Sequence, residues 1–299
     1  MSFISPKILL SRLGLRPRKA WGQHFLLYPH QARRIAAALE AAPQDLVVEA
    51  GPGLGALTVF LAQDAGKVVA LERDPALCRY LQEELFPQGS TVEVRCQDVM
   101  DFSFLDLSRE EDGPLLAAGN LPYQITSPLL FKLVREKAAL KRAVFMVQRE
   151  VGERLTAPPG TKDYGVLSVL IQYHFALTRL FSLGPANFFP APQVDSVVLR
   201  LVPAMFEVTA QDETLFSRVV KAAFSQRRKT LNNTLAAQAA AFGRSQEELR
   251  AILKDLGIDP RRRGETLSVV EFVGLSNRIL RGEPGDSKSP ALPSTENPR

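Results

Sequence analysis

Between residues 45 and 147 the chain alternates short apolar runs with helical stretches, and this alternation limits the possible folds more than any other feature. The runs are aliphatic and β-branched without strict alternation, which is typical of strands covered on both faces. They are LVVEAG (46–51), KVVALER (67–73), TVEVRCQD (91–98), LLAAGN (115–120) and AVFMVQ (143–148). Repeated strand–helix–strand units predict an α/β fold with a doubly wound parallel sheet. Ligands of such sheets bind at the carboxyl ends of the strands.

The character of the chain changes after Pro203. Upstream, a proline-rich loop at 185–194 leads into an apolar strand at 196–202, whereas the downstream patterns at 212–225, 229–242, 245–256 and 268–280 are all helical. Ser245 and Glu248 have the spacing of a capping box. We therefore predict a basic N-terminal arm (1–20), an α/β domain (21–203), a smaller all-helical domain (204–282) and a disordered tail rich in Pro and Ser (283–299).

Composition narrows the class of protein. A net charge of +5 favours a polyanionic partner, although only weakly. No stretch approaches the roughly 18 apolar residues that a membrane span needs, and no secretory signal is visible, so we predict a cytoplasmic protein that does not bind membranes. The two cysteines, Cys78 and Cys96, are predicted to be buried free thiols. The three histidines lack triad or metal-ligand spacing, so we expect no metal site and neither a hydrolase nor a zinc enzyme.

A glycine-rich turn at residues 49–55 (EAGPGLG) follows the first strand. Gly51 and Gly53 allow a sharp turn and a close approach of the backbone to a ligand. The pattern lacks the later glycine of a dinucleotide fingerprint, and Glu49 would place a negative charge near the phosphates. A cofactor with a cationic sulfonium and an ammonium group fits better. The alternative is a purely structural turn.

Two acidic residues strengthen the prediction of a cofactor site. Glu72 ends the second strand at the position from which a carboxylate accepts both hydroxyls of a ribose. Asp98 ends the third strand and could accept a hydrogen bond from the amino group of an adenine. Each could instead be a solvated or capping acid, as we predict for Asp74, but the recurrence at successive strand ends favours a function.

The fourth strand ends in Asn120, Leu121, Pro122 and Tyr123. The amine of an adenine is a poor nucleophile because its lone pair is delocalised into the ring. Acceptors such as Asn120 Oδ1 and a backbone carbonyl of the Leu-Pro turn could hold that nitrogen closer to tetrahedral. Tyr123 would stack on the base, and Phe189, in the proline-fixed loop, would cover the opposite face. A β-turn with a buried tyrosine, and a plain core phenylalanine, are the alternatives.

Taken in order, these segments resemble the KsgA-type small-subunit ribosomal RNA adenine N6,N6-dimethyltransferases. The segments are GQHFL (22–26), residues 49–55, Glu72, Asp98, residues 120–123, FPAPQVDS (189–196) and FSQRRKT (224–230). The resemblance implies a Rossmann-like S-adenosylmethionine methyltransferase sheet followed by a helical domain that recognises RNA. It also implies two methyl transfers to each of two adjacent adenines in a hairpin near the 3′ end of 16S rRNA, with S-adenosylhomocysteine as product.

The resemblance also assigns cofactor-binding roles. Gln23, His24 and Leu26 would close over the methionine and ribose parts of the cofactor, and Gly51 would contact it through its backbone. Glu72 would hold the ribose, Asp98 with Val99 would bind the adenine, and Asn120 would contact both the methyl donor and the target amine. Where this chain has His24, the family often has Asn.

Two basic clusters are then interpreted as phosphate contacts, with solvated helix ends as the alternative. They comprise Arg227, Arg228 and Lys229, and Arg261, Arg262 and Arg263. The expected partner is small-subunit rRNA within a partly assembled 30S subunit, bound by a monomer. The competing hypotheses are a large-subunit rRNA methyltransferase of antibiotic-resistance type, a mainly non-catalytic assembly or transcription factor, and a nucleotide-dependent dehydrogenase, which Glu49 and residues 120–123 disfavour.

Overall fold

A computed structural model of the chain describes residues 4–206 and 208–282. The predicted disordered tail lies outside the described residues. The chain divides into two compact units, the first formed by Met1–Ala157 and Leu167–Phe206 and the second by Pro158–Val166 and Glu207–Arg299. The first unit thus ends three residues after the predicted boundary at 203. In addition, the nine residues Pro158–Val166, which the sequence places in the α/β domain, belong to the second unit.

The first unit contains a seven-stranded sheet in the order β4-β3-β2-β5-β6-β9-β7. The strands are β2 (Leu46–Ala50), β3 (Lys67–Leu71), β4 (Val92–Arg95), β5 (Leu115–Asn120), β6 (Leu140–Gln148), β7 (Phe175–Leu183) and β9 (Ser196–Pro203). Strands β2 to β6 are parallel, whereas β9 pairs antiparallel with both β6 and β7. The predicted α/β fold with a parallel sheet is confirmed. Because β4 ends at Arg95, Asp98 lies in the loop that follows and not at the strand end itself.

Helices cover both faces of this sheet. They are α1 (Pro6–Arg12), α2 (Pro29–Leu39), α3 (Thr58–Asp64), α4 (Pro75–Tyr80), α5 (Phe104–Glu110), α6 (Tyr123–Arg135), α7 (Arg149–Leu155) and α8 (Val166–His174). Helix α4 continues into a π-helical turn, Leu81–Leu85. As predicted, Asp74 caps α4, where its side chain accepts from Ala76 N. Helix α1 lies within the predicted arm, and its Leu9 and Leu10 are buried in the apolar core.

A separate two-stranded ribbon lies outside the main sheet. Strand β1 (Phe25–Leu26) pairs antiparallel with β8 (Phe188–Phe189), with Phe25 opposite Phe189. Since β8 belongs to the proline-rich loop, the ribbon joins two segments that are more than 160 residues apart, and His24 Nδ1 donates to Pro190 O beside it.

The prediction for the cysteines was wrong. Cys78 on α4 and Cys96 after β4 are joined by a disulfide, with 5.7 Å between their Cα atoms. Cys78 is buried, but Cys96 is exposed. The right-handed β3–α4–β4 unit brings the two together, which the spacing of 18 residues in the sequence does not indicate.

The second unit is helical. Its helices are α9 (Glu213–Ala223), α10 (Leu231–Ala236), α11 (Gln246–Asp255) and α12 (Val269–Arg281). The capping box of Ser245 and Glu248 is present at α11. The segment Pro158–Val166 packs here because Gly160 N donates to Glu265 O (2.7 Å) and the Tyr164 ring contacts Phe224. Among the described residues of the whole chain, no helix is long and apolar enough to cross a membrane, and no cluster could hold a metal ion.

Candidate active site

A cavity of about 1000 Å³ lies at the carboxyl ends of β2, β3 and β5. Its walls include most of the residues that the sequence singles out for a cofactor. These are Gln23, His24, Leu26, Glu49, Gly51, Gly53, Glu72, Asp98, Val99, Asn120 and Pro122. The doubly wound topology explains the convergence, because parallel strands end at the same edge of the sheet.

The glycine-rich turn shapes one wall of the cavity. Gly51 and Gly53 have φ angles of +69° and +60°, which L-residues with a side chain rarely adopt. A Cβ atom built on Gly51 would meet nothing within 4 Å, so space for a ligand is open beside its backbone. Gly53 N donates to Glu72 Oε2 (3.0 Å), which fixes the turn against the end of β3.

Glu49 lies beneath this turn and is almost fully buried, with 1% exposure. Within the described part of the chain, its Oε2 atom has no hydrogen-bond partner. Burial raises the pKa of Glu49 to about 8, and the nearby charge of Glu72 acts in the same direction. Without a ligand, Glu49 is therefore mostly neutral at pH 7, and it does not carry the fixed negative charge that the sequence predicts there.

Glu72, directly after β3, and Asp98, in the loop after β4, are held differently. Glu72 is buried, and its two carboxylate oxygens accept backbone N–H groups from Gly53 and Asp74 (3.0 and 2.8 Å). Burial raises the pKa of Glu72 even though these bonds oppose the shift. Asp98 is more exposed; its Oδ1 accepts from Met100 N (2.9 Å) and its Oδ2 lies 3.5 Å from Arg73 Nη1. Both side chains keep acceptor lone pairs that can face the cavity.

Asn120, the last residue of β5, is oriented by the N-terminal segment. Its Nδ2 donates to His24 O (2.8 Å), and the hydrogen bonds found among described residues leave its Oδ1 unused. The side chain of Leu121 is buried in the core, so only its backbone carbonyl can serve as the second acceptor. Pro122 O is already occupied by Ile125 N and Thr126 Oγ1 (both 3.1 Å) at the start of α6.

The predicted aromatic pair does not line the cavity but lies beside it. Tyr123 is the first residue of α6, and its ring centroid is 5.5 Å from that of His24. Burial raises the pKa of Tyr123, although hydrogen bonds to Ser196 and Gln148 oppose the shift. Phe189 is half-buried in the ribbon opposite Phe25. Tyr123 thus lies next to His24, whose carbonyl binds Asn120, and Phe189 pairs with the residue that follows His24.

Two residues that the sequence analysis missed also line the cavity. Trp21 precedes the GQHFL segment, and Arg73 follows Glu72. Arg73 could have been suspected from its position next to a strand-end acid. For Trp21 the sequence offers no comparable signal, because its contact with Arg73 comes from a distant strand end.

A family model described as ribosomal RNA adenine dimethylase matches residues 14–277, most of the chain. The chain belongs to this family. It is 45% identical over 269 residues to ribosomal RNA small subunit methyltransferase A of Geobacter metallireducens, covering 89% of this chain and 97% of the relative. The protein of the same name from Bacillus cereus is 42% identical over 280 residues, covering 92% and 95%.

Solved structures agree with this family. A dimethyladenosine transferase from Plasmodium falciparum has a TM-score of 0.71 at 26% identity, covering 84% of this chain and 95% of its own. The 23S rRNA methyltransferase ErmE has a TM-score of 0.63 at 25% identity, covering 85% and 99%. The predicted family and the Rossmann-like methyltransferase fold are confirmed. The chain is an rRNA adenine dimethyltransferase, its methyl donor is S-adenosylmethionine, and its substrate is rRNA.

The cavity suits this methyl donor. The buried Glu49 Oε2 has no partner among the residues that the structure describes, as expected of an acceptor for a cationic group, and the open space at Gly51 leaves room for the ligand next to the backbone. Glu72 and Asp98 supply the acceptors that ribose hydroxyls and an adenine amino group need.

The dimethylase family also requires a surface for RNA, and the second unit brings the two predicted basic clusters together. Leu231 N donates to Arg262 O (2.8 Å) and Asn232 N to Pro260 O (3.0 Å). Arg228, Lys229 and Arg263 are exposed, as is Arg227, whose guanidinium donates to Lys162 O. Arg261 is 89% exposed beside Asp259.

Arg262 differs from its neighbours. Its guanidinium binds the Glu271 carboxylate, which also caps α12 through Ser268. Burial alone would raise the pKa of Glu271, but the bonds from Arg262 and Ser268 outweigh it and hold that pKa below its ordinary value. The Arg262 side chain therefore has a structural role, and its predicted phosphate contact is not supported by this geometry.

Proposed function

We propose that this enzyme dimethylates the N6 amino groups of two adjacent adenines in a hairpin near the 3′ end of small-subunit rRNA, with the chemistry taking place in the cavity described above. One observation carries the proposal: the same cavity is lined by Glu72 directly after β3, Asp98 in the loop after β4 and Asn120 at the end of β5. The curated relatives that carry the name small subunit methyltransferase A, at 42–45% identity over nearly their whole length, support the choice of subunit.

We assign the cofactor contacts as follows. Glu72 accepts the ribose hydroxyls, and Asp98 with Val99 holds the adenine. Glu49 lies beneath the glycine-rich turn, where space is open beside Gly51, and faces the cationic end of the cofactor. Gln23, His24 and Leu26 form the cover, because their segment lines the cavity and is bonded to Asp74 and Asn120.

Asn120 and Leu121 activate the target amine. Asn120 Oδ1 and Leu121 O accept the two N–H groups of adenine N6, which localises the nitrogen lone pair towards the methyl group. When bound, S-adenosylmethionine supplies an electrophilic methyl group and leaves as S-adenosylhomocysteine. The transferred methyl group would exchange its bond to the cofactor sulfur for one to N6, and the proton lost from N6 would go to water. The hydrogen bond from Asn120 Nδ2 to His24 O keeps the amide in the accepting orientation.

Tyr123 and Phe189 hold the flipped base. Pro122 lines the cavity between them and Asn120 and sets the start of α6, which fixes the position of Tyr123. Stacking on an aromatic ring contributes about 1–3 kcal/mol per base. The gap for the base would open when the Tyr123 ring moves away from His24.

The helical unit selects the RNA. Exposed Arg227, Arg228, Lys229, Arg261 and Arg263 form one basic surface that positions phosphates. A pocket for adenine cannot distinguish one adenine from another, so this surface determines which adenines of the rRNA reach the cavity. We further propose that a monomer acts in the cytoplasm on a partly assembled 30S subunit.

The similarity to ErmE makes large-subunit rRNA the alternative substrate. The test is incubation with methyl-labelled cofactor and either small subunits lacking the modification, free 16S rRNA or large subunits, followed by mapping of the label by mass spectrometry. We expect two adjacent dimethyladenines in the small subunit.

Asn120→Ala should lower methyl transfer at least about a hundredfold, the usual effect of losing one positioned polar group, while cofactor affinity measured by calorimetry changes far less. Label confined to large subunits, or normal turnover of the variant, would contradict the proposal.

A further inference from the structure

Residues 18–26, called the strap below, run along the cavity from the end of β3 to the end of β5. At the β3 side, Gln23 Nε2 donates to Asp74 Oδ2 (3.2 Å), and Arg18 Nε lies 3.4 Å from the same oxygen. At the β5 side, the strap is held by the bond from Asn120 to His24 O and by the pairing of Phe25 with Phe189. A ligand in the cavity is therefore in contact with a segment that is attached to both sides of its site.

At the β3 side, the Trp21 ring contacts two arginines. The guanidinium carbons of Arg18 and Arg73 lie 4.3 and 4.4 Å from the centroid of its ring. Arg18 belongs to the strap, whereas Arg73 follows β3. The indole therefore joins the strap to the sheet through a cation–π contact, and Trp21 and Arg73 both line the cavity.

Arg73 extends this contact to the cofactor site. Its Nη1 atom lies 3.5 Å from Asp98 Oδ2, the oxygen that is not used by Met100 N. The same guanidinium thus contacts the strap and the acid assigned to the adenine.

We propose that Trp21 is a positioning residue for the cofactor: together with Arg18 and Arg73 it forms a latch that holds the strap closed and sets how long the cofactor stays bound. This inference rests on the proposed binding of S-adenosylmethionine in the cavity. Closure of the strap excludes water and commits the bound cofactor to transfer, and opening of the latch precedes release of the product.

The test is the dissociation rate of labelled S-adenosylmethionine, measured in a chase with excess unlabelled cofactor. For Trp21→Ala we expect dissociation about tenfold faster than in the unaltered enzyme, because the joined cation–π contacts are lost. Trp21→Phe, which keeps an aromatic face, should change the rate less than threefold. Arg73→Gln should accelerate dissociation on its own, but should add little to Trp21→Ala because the contact has already gone.

Arg109→Gln is the matched control. Arg109 is an exposed arginine on α5 that pairs with Asp106 (3.1 Å) and does not line the cavity, so its loss should leave the dissociation rate unchanged. Trp21 is the single tryptophan of the chain, so its fluorescence should differ between Arg73→Gln and Arg109→Gln and report the latch directly.

Equal dissociation rates for folded Trp21→Ala and the unaltered enzyme would overturn the latch. If Trp21→Ala does not fold, the comparison of Arg73→Gln with Arg109→Gln decides, and equal rates for these two would overturn it as well. A larger change in the single-turnover methyl-transfer rate than in the dissociation rate would also reject a role in cofactor retention. Failure of the unaltered enzyme to bind the cofactor at all would instead contradict the proposed function.

Discussion

Buried carboxylates near a cationic ligand have a property that exposed ones lack: their protonation changes when the ligand binds. Glu49 is 1% exposed and has a pKa raised by burial to about 8, so near neutral pH it carries a proton in the ligand-free enzyme. A cationic group placed beside its Oε2 favours the ionised form. Binding of the cofactor should therefore release this proton.

We predict that the affinity for S-adenosylmethionine rises with pH between about 6 and 8, by up to about tenfold per unit, because less work is needed to ionise Glu49. Calorimetry in buffers of different ionisation enthalpy should show proton release at pH 7, and Glu49→Gln should abolish both the release and the pH dependence. An unchanged proton count in Glu49→Gln would assign the release to another group.

The same raised pKa affects the stability of the ligand-free enzyme, and this effect serves as a control. The unfolded chain ionises Glu49 near its ordinary value of 4.5, whereas the folded protein does so only near 8. The stabilising contribution of the neutral side chain is thus fully present below about pH 4.5 and is lost as the pH rises towards 8. Glu49→Gln should therefore raise the melting temperature more at pH 8 than at pH 5.

At the scale of the element, the end of β5 depends on a close approach to β2. A Cβ atom on Gly119 would lie 2.5 Å from Ala50 O, a backbone atom that cannot turn away. Glycine at this position lets the last residue of β5, Asn120, lie against the glycine-rich turn that follows β2. The site thus needs glycine both in the turn, where φ is positive, and in the strand beside it, where space is short.

Gly119→Ala should lower the free energy of unfolding by about 1–3 kcal/mol, since overpacking against fixed backbone displaces a strand. Because Asn120 moves with that strand, methyl transfer should fall as well. Gly274→Ala is the matched control. Gly274 lies inside α12, and beyond the nearby turns of that helix no atom of the described residues lies within 4 Å of its would-be Cβ, so alanine should stabilise the helix by about 0.5–1 kcal/mol. Denaturant unfolding measures both, and equal effects of the two substitutions would refute the close-packing argument.

At the scale of the whole molecule, the cavity and the proposed RNA-binding surface lie on separate compact units of the chain. The cavity and all its lining residues belong to the first unit, whereas the basic surface belongs to the second. Phosphate contacts act through charge and are therefore weakened by salt, whereas contacts to the base in the cavity are not. This difference separates the two roles experimentally.

Arg227→Ala combined with Arg228→Ala should weaken binding of rRNA irrespective of sequence and reduce the slope of log affinity against log salt by about one to two. Arg262→Ala is the control, because its guanidinium is paired with the Glu271 carboxylate. That variant should lower the melting temperature and leave the salt slope unchanged. If Arg262→Ala reduced the salt slope and the double variant did not, Arg262 would be the phosphate contact, and Arg227 and Arg228 would not. Filter binding at several salt concentrations provides the measurement.

The amino-acid order by itself determined the parallel sheet, because aliphatic runs separated by helical stretches have few other ways to bury their surface. Those strand positions also placed Glu72 and Asn120 at one edge, and motif order indicated the family. Only the tertiary structure decided the features that depend on contacts between segments distant along the chain. The disulfide between Cys78 and Cys96, the raised pKa of Glu49 and the stack of Trp21 with Arg73 all result from burial or proximity created by folding. Local sequence cannot encode the loss of solvent around a group, because that loss is a property of everything packed around it.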